Sequence, residues 1–249
     1  MNFLVIGEKC KDVFVYGEVT RLSPEAPVPV FKPVRSVENH GMAQNVYNNL
    51  FSLLEKKSSV VGHFSHGNIV KTRYVDEKTN HYFIRIDEND RVPAIEFSPT
   101  VEKVIRMSDC IIISDYDKGY LSINDIYKIC QEKKEGAVVF LDTKKKITPV
   151  IYDCVDFVKF NESEYNNNRM YAENYEKKII LTLGSEGAYY DGQDFPSEKK
   201  VTLDVSGAGD TFLAALAYYY MNGRLIKFAI QKANEAACKV VSERGVSVI

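Results

Sequence analysis

The amino-acid sequence predicts an α/β fold in which helices cover a mostly parallel central sheet and a small β-sheet protrudes as a lid. Short apolar runs rich in β-branched residues alternate along the chain with helical patterns. The runs occupy residues 3–6, 110–114, 138–141 and 179–183, and the helical patterns occupy 43–54, 123–133, 211–221 and 226–241. Because such runs suit strands buried on both faces, this alternation predicts a layered core with right-handed crossovers.

Two further segments interrupt the alternation and predict the lid. Residues 13–33 begin with alternating side chains and then contain several prolines, which exclude a helix and indicate extended, edge-like chain. Residues 71–87 alternate on both sides of a polar turn at 76–80, as a β-hairpin does. We therefore expect 13–33 and 71–87 to form a small sheet that stands off a single domain spanning 1–249.

Composition limits the classes of protein to which the chain can belong. Its 249 residues are 45% hydrophobic and 27% charged, which is ordinary for a soluble globular domain. A net charge of −2 provides no excess of positive charge with which to bind nucleic acid or an anionic membrane. The five cysteines are scattered, and no apolar run is long enough for a membrane helix or a signal peptide. We expect a cytoplasmic protein with reduced thiols and with neither nucleic acid nor membrane as a partner.

Residues 203–212 give the strongest indication of chemistry. Gly207, Ala208 and Gly209 precede a long apolar helical pattern, and Asp210 follows them at once. Glycines at a helix start let backbone N–H groups turn toward an anion, and the helix dipole adds partial positive charge there. An aspartate beside such a nest suggests phosphoryl transfer. Taken alone, a tight turn followed by an ordinary first-turn aspartate explains these residues equally well.

Several motifs resemble the PfkB or ribokinase-like sugar kinases. Asp-Val-Ser-Gly-Ala-Gly-Asp-Thr at 204–211 is similar to the C-terminal signature of that family. Within it, Tyr-Gly at 16–17, Arg-Leu-Ser-Pro-Glu-Ala-Pro-Val-Pro-Val at 21–30 and Ser-Asp-Tyr-Asp-Lys-Gly at 114–119 resemble the heptose 7-phosphate kinase branch, the kinase part of the bifunctional ADP-heptose synthases. The resemblance runs in order from about residue 3 to residue 248, and it implies a three-layer ribokinase-like core.

The resemblance implies transfer of the γ-phosphoryl group of ATP, with Mg²⁺, to a sugar hydroxyl. For the branch, this is the C1 hydroxyl of D-glycero-D-manno-heptose 7-phosphate, and the 1,7-bisphosphate product feeds nucleotide-activated heptose for a surface glycan such as lipopolysaccharide. A monovalent cation is a further candidate cofactor. Gly207, Ala208 and Gly209 would receive the phosphoryl charge and Asp210 the hydroxyl proton. Since a helix N-terminus lowers the pKa of a carboxyl, we expect Asp210 to be a weak base that mainly orients the acceptor.

The resemblance also implies a nucleotide site at the carboxyl ends of the strands. Thr-Leu-Gly-Ser-Glu-Gly at 182–187 is similar to the nucleotide loop, Asn-Glu-Ser-Glu at 161–164 to the element that organises Mg²⁺, and Asp-Thr-Lys at 142–144 to the Asp-Pro-Lys of the branch. On their own, residues 182–187 are also explained by an ordinary turn after a strand, and the acids at 161–164 by exposure to solvent. The implied cofactor-binding residues are Lys144, Asn161, Thr182, Gly184, Gly187, Ser206 and Asn234, with Glu164 at the metal.

On the sugar side, the resemblance assigns the acceptor hydroxyls to Asp12 and Asn45. A carboxylate and an amide can bind vicinal hydroxyls, and they reject a sugar that leaves them unpaired. Gly41 is expected to open the helix that carries Asn45 and to let the sugar approach closely. The candidate ligands of the 7-phosphate are Arg21, Lys71 and Arg73, although cations on a lid are more commonly only solubilising.

The sequence departs from the family pattern at three places. After the Val-Val-Gly at 60–62, the chain leads almost directly into the lid, so that about a helix and a turn are missing by the usual spacing. We expect this loss to uncover an apolar sheet edge that a partner subunit covers. Met42 replaces a glycine of the sugar loop and Glu8 replaces an aspartate, which leaves the sugar identity open. The chain ends at Ile249, so we expect no fused nucleotidyltransferase domain.

Three functions therefore remain to be distinguished. The first is an ATP-dependent heptose 7-phosphate kinase, and the second is a kinase of the same family acting on another sugar, sugar phosphate or nucleoside. The third is a catalytically idle binding protein, which the short core and Met42 favour and the intact 207–210 motif opposes. A homodimer through the lid is expected in each case, because the edges of a projecting sheet need pairing.

Overall fold

The computed structural model of the chain describes residues 1–198, 204–242, 245–246 and 248–249. Leu203 in the glycine-rich stretch and Ser247 near the chain end lie outside the described residues. The strands, numbered along the chain, are β1 (Asn2–Gly7), β2 (Lys9–Leu22), β3 (Pro29–Met42), β4 (Ser59–Phe64), β5 (Ile69–Asp76), β6 (Tyr82–Glu88), β7 (Cys110–Asp115), β8 (Val138–Thr143), β9 (Phe157–Asn161), β10 (Ile179–Thr182), β11 (Ala188–Tyr190) and β12 (Gln193–Phe195). The α-helices are α1 (Ala43–Leu53), α2 (Pro99–Met107), α3 (Ile123–Glu132), α4 (Pro149–Cys154), α5 (Glu162–Ala172), α6 (Ala208–Gly223) and α7 (Ile226–Val240).

The described strands form a large sheet of eight members in the order β12-β11-β10-β9-β8-β7-β1-β4. Strands β4, β1, β7, β8, β9 and β10 run parallel, and β11 and β12 extend the sheet antiparallel. Successive residues of β1 face opposite cores: Phe3 packs with α1, α6 and α7, whereas Leu4 packs with α2, α3 and α4. The layered α/β fold predicted from the sequence is therefore confirmed.

The second sheet is the lid, with the strand order β3-β2-β5-β6. The hairpin predicted at 71–87 is confirmed as the antiparallel pair β5 and β6. The edge-like description of 13–33 holds only for β3, because β2 lies inside the sheet between β3 and β5. The prolines explain the difference: Pro24 and Pro27 lie in the connecting turn, and Pro29 and Pro33 lie in the edge strand.

The lid also extends further than the sequence indicated. Strand β3 continues to Met42, so Gly41 lies in a lid strand and does not open the helix, which begins at Ala43. The positive φ of 59° at Met42 marks the abrupt turn from strand to helix. The lid strand is thus joined directly to the helix that carries Asn45, which brings the two parts of the predicted sugar site together.

The shortened segment after residue 62 leaves β4 as an edge strand of the large sheet. Residues 65–68 alone separate β4 from the lid strand β5. Val61 is 45% exposed on β4, and Phe51 on the neighbouring helix α1 is 64% exposed. The expected apolar edge is present, and its coverage by a partner subunit stays a prediction. Within the described parts of the chain, no helix combines the length and apolar character needed to cross a membrane.

Candidate active site

The carboxyl ends of the parallel strands meet at one edge of the large sheet, where open α/β sheets bind ligands. A cleft of about 1460 Å³ lies there, between the start of α6, the helix α7 and the loops after β8, β9 and β10. Many of the residues predicted for the nucleotide and the phosphoryl group line this cleft. They are Lys144, Asn161, Thr182, Gly184, Gly187, Gly207, Ala208, Gly209, Asp210 and Asn234.

Helix α6 begins at the glycine-rich stretch. Gly207 is its N-cap, with a left-handed φ of 82°. A Cβ at Gly207 would lie 2.6 Å from Asn45 Nδ2, so only glycine fits there without displacing that amide. The N–H of Ala208 donates to the Val205 carbonyl at 3.3 Å, and the first-turn N–H groups of an α-helix have no partner within the helix. The start of α6 therefore presents backbone donors and the positive end of the helix dipole to the cleft.

Asp210 lies at the base of the cleft with both carboxylate oxygens engaged. The hydroxyl of Tyr116 donates to Oδ1 at 2.6 Å, and Asn45 Nδ2 donates to Oδ2 at 3.2 Å. Only 4% of Asp210 is exposed. Burial raises the pKa of this carboxyl to about 6, although both hydrogen bonds act in the opposite direction. The expectation of a lowered pKa was therefore wrong, because desolvation outweighs the helix terminus.

A buried ion pair, missed by the sequence reasoning, lies beneath the start of α6. Lys159 Nζ is 2.5 Å from Asp142 Oδ2, and both side chains are almost completely buried. A Cβ at Gly209 would lie 3.5 Å from Lys159 Nζ, so the ammonium adjoins the glycine-rich turn. Burial lowers the pKa of Lys159, but Asp142 and Glu164 outweigh burial and raise it, which keeps the ammonium charged. Lys159 thus places a fixed positive charge in the cleft that it lines.

The residues predicted for Mg²⁺ form the N-terminus of α5. Asn161 and Glu164 make a reciprocal capping box, in which the Glu164 N–H donates to Asn161 Oδ1 at 2.9 Å and the Asn161 N–H donates to Glu164 Oε2 at 2.8 Å. The other oxygen of Glu164 is paired with Lys144 Nζ. Among the described residues, no group of three or more histidine, cysteine or acidic side chains could hold a metal ion. The assignment of Glu164 to a metal stays a prediction.

Gly187 and Asn234 converge on one backbone carbonyl at the far side of the cleft. Asn234 Nδ2 donates to the Phe195 carbonyl at 2.7 Å. A Cβ at Gly187, whose φ is 102°, would lie 2.1 Å from the same oxygen. Both residues therefore shape the wall of the cleft by holding the chain after β12. Ser206 does not line the cleft, and its N–H donates to Asp204 Oδ1 at 2.8 Å.

The inner face of the lid carries most of the predicted sugar residues. Arg73 Nη1 is 2.5 Å from Asp12 Oδ1, and both side chains are buried. Lys71, paired with Asp12 across β2 and β5, is also buried, with its Nζ 5.2 Å from the centroid of the Tyr116 ring. Arg21 lies apart, exposed near the end of β2, where its guanidinium donates to the Leu22 carbonyl. The structure thus brings Asp12, Lys71 and Arg73 together and leaves Arg21 outside this group.

Tyr116 and Glu8 are further residues of the site that the sequence reasoning did not place there. The carboxylate of Glu8 accepts from the N–H groups of Tyr116, Lys118 and Tyr120, at 2.8, 3.1 and 3.3 Å. Burial and the nearby Asp115 raise the pKa of Glu8. Glu8 therefore anchors the loop from which Tyr116 reaches Asp210. The Ser-Asp-Tyr-Asp-Lys-Gly motif at 114–119 was the available signal.

We expect Gly41→Ala to weaken sugar binding and leave nucleotide binding intact. An added Cβ would lie 1.9 Å from Asp12 Oδ2 and 2.7 Å from Cys10 Sγ, so Asp12 must leave its position against Arg73. Loss of a hydrogen bond to a charged group corresponds to about a tenfold to hundredfold rise in the KM of the sugar. Steady-state kinetics with each substrate varied in turn measures this.

Gly223→Ala is the matched control for Gly41→Ala. A Cβ at Gly223, at the end of α6, meets no atom within 4 Å. We expect its kinetic constants to equal those of the unmodified protein. Equal sugar KM values for the two variants would show that Asp12 does not contribute to sugar binding.

Comparison with known proteins identifies the family of the chain. A family model described as pfkB family carbohydrate kinase matches residues 103–248. The bifunctional protein HldE of a Nitratiruptor species is 28% identical over 99% of this chain and 62% of its own length. The bifunctional protein HldE of Helicobacter pylori (strain Shi470) is 30% identical over 98% of this chain and 63% of its own. The chain thus spans less than two thirds of these relatives.

The chain lacks a counterpart for part of its relatives, and it shares its fold with solved structures. The Nitratiruptor alignment spans 292 positions against the 249 residues here, so at least 43 positions of the relative have no counterpart. Among solved structures, ribokinase from Thermotoga maritima superposes with a TM-score of 0.73 at 16% identity, covering 98% of this chain and 94% of that one. Since the family model matches more than half of the chain, the protein belongs to the pfkB family of carbohydrate kinases.

Proposed function

We propose that this protein transfers the γ-phosphoryl group of ATP to the C1 hydroxyl of D-glycero-D-manno-heptose 7-phosphate, in the cytoplasm, and so supplies a bisphosphate for nucleotide-activated heptose. The family, the HldE names of its relatives and a fold shared with an Arabidopsis thaliana ribokinase complexed with ribose and ATP support the proposal. The observation that carries it is the position of Asp210, which lies between the cleft and the buried polar face of the lid.

The nucleotide side of the site fits a triphosphate. Gly209 carries no side chain that would hinder an anion at the start of α6, and the Lys159 ammonium lies beside it. Lys144 also lines the cleft, from the loop after β8, and is paired with Glu164, from which it can turn toward an anion. These donors match the charge that phosphoryl transfer spreads over the γ-phosphoryl oxygens.

The proton and the phosphoryl group move as one balanced exchange. The acceptor hydroxyl gives its proton to Asp210 while its oxygen forms a bond to phosphorus, and the bond from phosphorus to the leaving ADP oxygen breaks. Asn45 donates to Asp210 Oδ2 and also to the Gly207 carbonyl, so one amide aligns the base with the start of α6. Helix α1 thus carries the aligning amide, and helix α6 carries the base and the phosphate-binding turn.

Mg²⁺ would offset the charge of the nucleotide phosphates. Such a site commonly uses one or two carboxylates, with waters and phosphate oxygens as the other ligands. Glu162 lines the cleft at the N-terminus of α5 and could supply one carboxylate, and Glu164 could supply a second if Lys144 turned away from it. A monovalent cation is part of the same proposal.

The lid fits a phosphorylated sugar better than a neutral one. Asp12, with Arg73 beside it, would bind hydroxyls, and the buried Lys71 and Arg73 would meet a phosphate. Met42, buried at the turn from β3 into α1, occupies the place of a glycine and favours a second candidate, a kinase of another sugar phosphate.

ADP release measured over a panel of sugar phosphates, with heptose 7-phosphate among them, tests the proposal. We expect turnover with heptose 7-phosphate, and NMR of the product to show phosphate at C1. Turnover only with other sugars would contradict the heptose assignment and favour the second candidate. No turnover with any sugar or nucleoside acceptor would overturn the kinase proposal and favour a binding protein.

We also propose that the protein is a homodimer through the lid. Strands β3 and β6 are the lid edges, and Val34, Ile84 and Ile86 on them are 66%, 55% and 41% exposed. Exposed apolar edge strands favour pairing with another chain. Light scattering should give twice the chain mass, and replacement of Ile84 by lysine should give the monomer.

A further inference from the structure

Tyr116 occupies the junction between the two halves of the site. Its hydroxyl donates to Asp210 Oδ1 at 2.6 Å. Lys71 Nζ, from the lid, lies 5.2 Å from the centroid of its ring, and Lys144 Nζ, from the nucleotide side, lies 5.3 Å from it. The ring thus lies near two ammonium groups that are proposed to bind different substrates, and its hydroxyl is directed at the proposed base.

The loop that carries Tyr116 is anchored through two carboxylates, those of Glu8 and Asp115. The Glu8 carboxylate accepts the backbone N–H of Tyr116 itself, at 2.8 Å. The preceding Asp115 is buried and paired with Lys145 Nζ at 2.7 Å. Because anchors hold the loop at both residues, the phenol reaches Asp210 from a preorganised position, as groups that act on a reacting centre require.

We infer that Tyr116 is a positioning residue of phosphoryl transfer, which holds Asp210 ionised through Oδ1 and so directs Oδ2 at the acceptor hydroxyl. This inference rests on the proposed function. Among the described residues, Oδ2 accepts only the longer bond from Asn45, at 3.2 Å, and a carboxylate oxygen has a second lone pair for the hydroxyl proton. Burial, together with Asp210, raises the pKa of Tyr116 well above its usual value, so the phenol keeps its proton and acts as a donor throughout.

Other charged groups also influence the pKa of Asp210, and the contribution of Tyr116 has to be separated from theirs. Asp142 on β8 raises the pKa of Asp210 and Lys159 on β9 lowers it, whereas Cys10 of β2 interacts with the same carboxylate from the lid. Asp142 and Lys159 are paired with each other, so their effects on Asp210 oppose one another. The hydrogen bonds of Tyr116 and Asn45 are therefore the direct contacts that favour the ionised form.

Tyr116→Phe removes the hydroxyl and keeps the ring beside the two lysines. The carboxyl of Asp210 is followed by ¹³C NMR in aspartate-labelled protein without substrates, with Asp210→Asn assigning the resonance. We expect its titration to move up by about one to two units in Tyr116→Phe, as loss of a hydrogen bond to a charged group implies. In steady-state kinetics, kcat should fall while the KM of ATP and the KM of the sugar stay unchanged. The acidic limb of the pH profile should move up by the same amount as the titration.

Tyr120→Phe is the matched control from the same loop. Tyr120 donates its N–H to Glu8 and its ring lies near His63, so the substitution should leave the Asp210 titration unchanged. Incorporation of difluorotyrosine at position 116, which makes the phenol a stronger donor, should move the titration down. An unshifted Asp210 in both variants at position 116 would overturn the inference even in an active kinase. A shifted titration in a protein that phosphorylates no sugar would instead overturn the proposed function alone.

Discussion

We expect Asp210→Asn to lower kcat by about 10²–10⁴-fold, because an amide cannot accept the proton of the sugar hydroxyl. The KM of ATP should stay unchanged, since Gly207, Gly209 and Lys159 are unaltered. Asp194→Asn, the same substitution at an exposed position of β12, is the matched control and should retain full activity. An Asp210→Asn variant with undiminished kcat would show that this carboxylate neither accepts the proton nor orients the acceptor.

The same residue should set the acidic limb of the pH profile. Asp210 must be ionised to act as a base, and burial raises its pKa to about 6. The value of kcat/KM should therefore fall about tenfold per unit as the pH drops below about 6, because the protonated fraction grows. Above that pH the profile should be flat with respect to this group. A limb near pH 4 would mean that the site is more hydrated than its geometry indicates.

Asp210→Asn should also stabilise the fold at high pH. A carboxyl whose pKa is raised on folding contributes stability below its unfolded pKa, and this stability is lost as the pH rises through the folded value. A rise from 3.8 to about 6 corresponds to about 3 kcal/mol of destabilisation above about pH 7. Urea denaturation at about pH 8 and about pH 5 should show that the advantage of the variant shrinks toward acid.

Several core strands and the position of the cleft were predictable because local patterns carry them. The strands at residues 110–115 and 138–143 are uninterrupted apolar runs that end in polar residues, and the glycine-rich stretch precedes α6 directly. Each of these features involves residues that are neighbours in the chain. Such features can be recognised without knowing which residues pair with them in the sheet.

The parts that were missed depend on contacts between distant segments. Strand β9 escaped notice because Lys159 interrupts its apolar run, and the lysine is tolerated there only because Asp142 lies opposite in β8. The direction of the Asp210 pKa was wrong for a similar reason. A helix terminus can be recognised in the sequence, whereas the burial of its aspartate by Tyr116 and Asn45 requires the folded chain.

We expect Lys159→Met to destabilise the protein by about 3–5 kcal/mol, since removal of one partner leaves the buried Asp142 carboxylate uncompensated. Lys159 and Asp142 are each 5% exposed, so little of their ion pair meets solvent. The matched control is Lys232→Met, which breaks a solvent-exposed pair with Glu235 and should cost less than about 1 kcal/mol. Chemical denaturation measures both. A loss as small as that of the control would contradict the buried geometry of the pair.

The double variant Asp142→Asn/Lys159→Met separates the structural role of Lys159 from its role in transfer. Without the unpaired carboxylate, most of the lost stability should return, because a neutral pair of similar volume needs no compensation. Activity should not return. The ammonium lies beside Gly209 at the start of α6, and removing one preorganised electrostatic group at such a centre lowers kcat by about 10²–10³-fold. If kcat recovered together with stability, Lys159 would serve only to hold β8 and β9 together, and the charge for the phosphoryl group would have to come from Lys144.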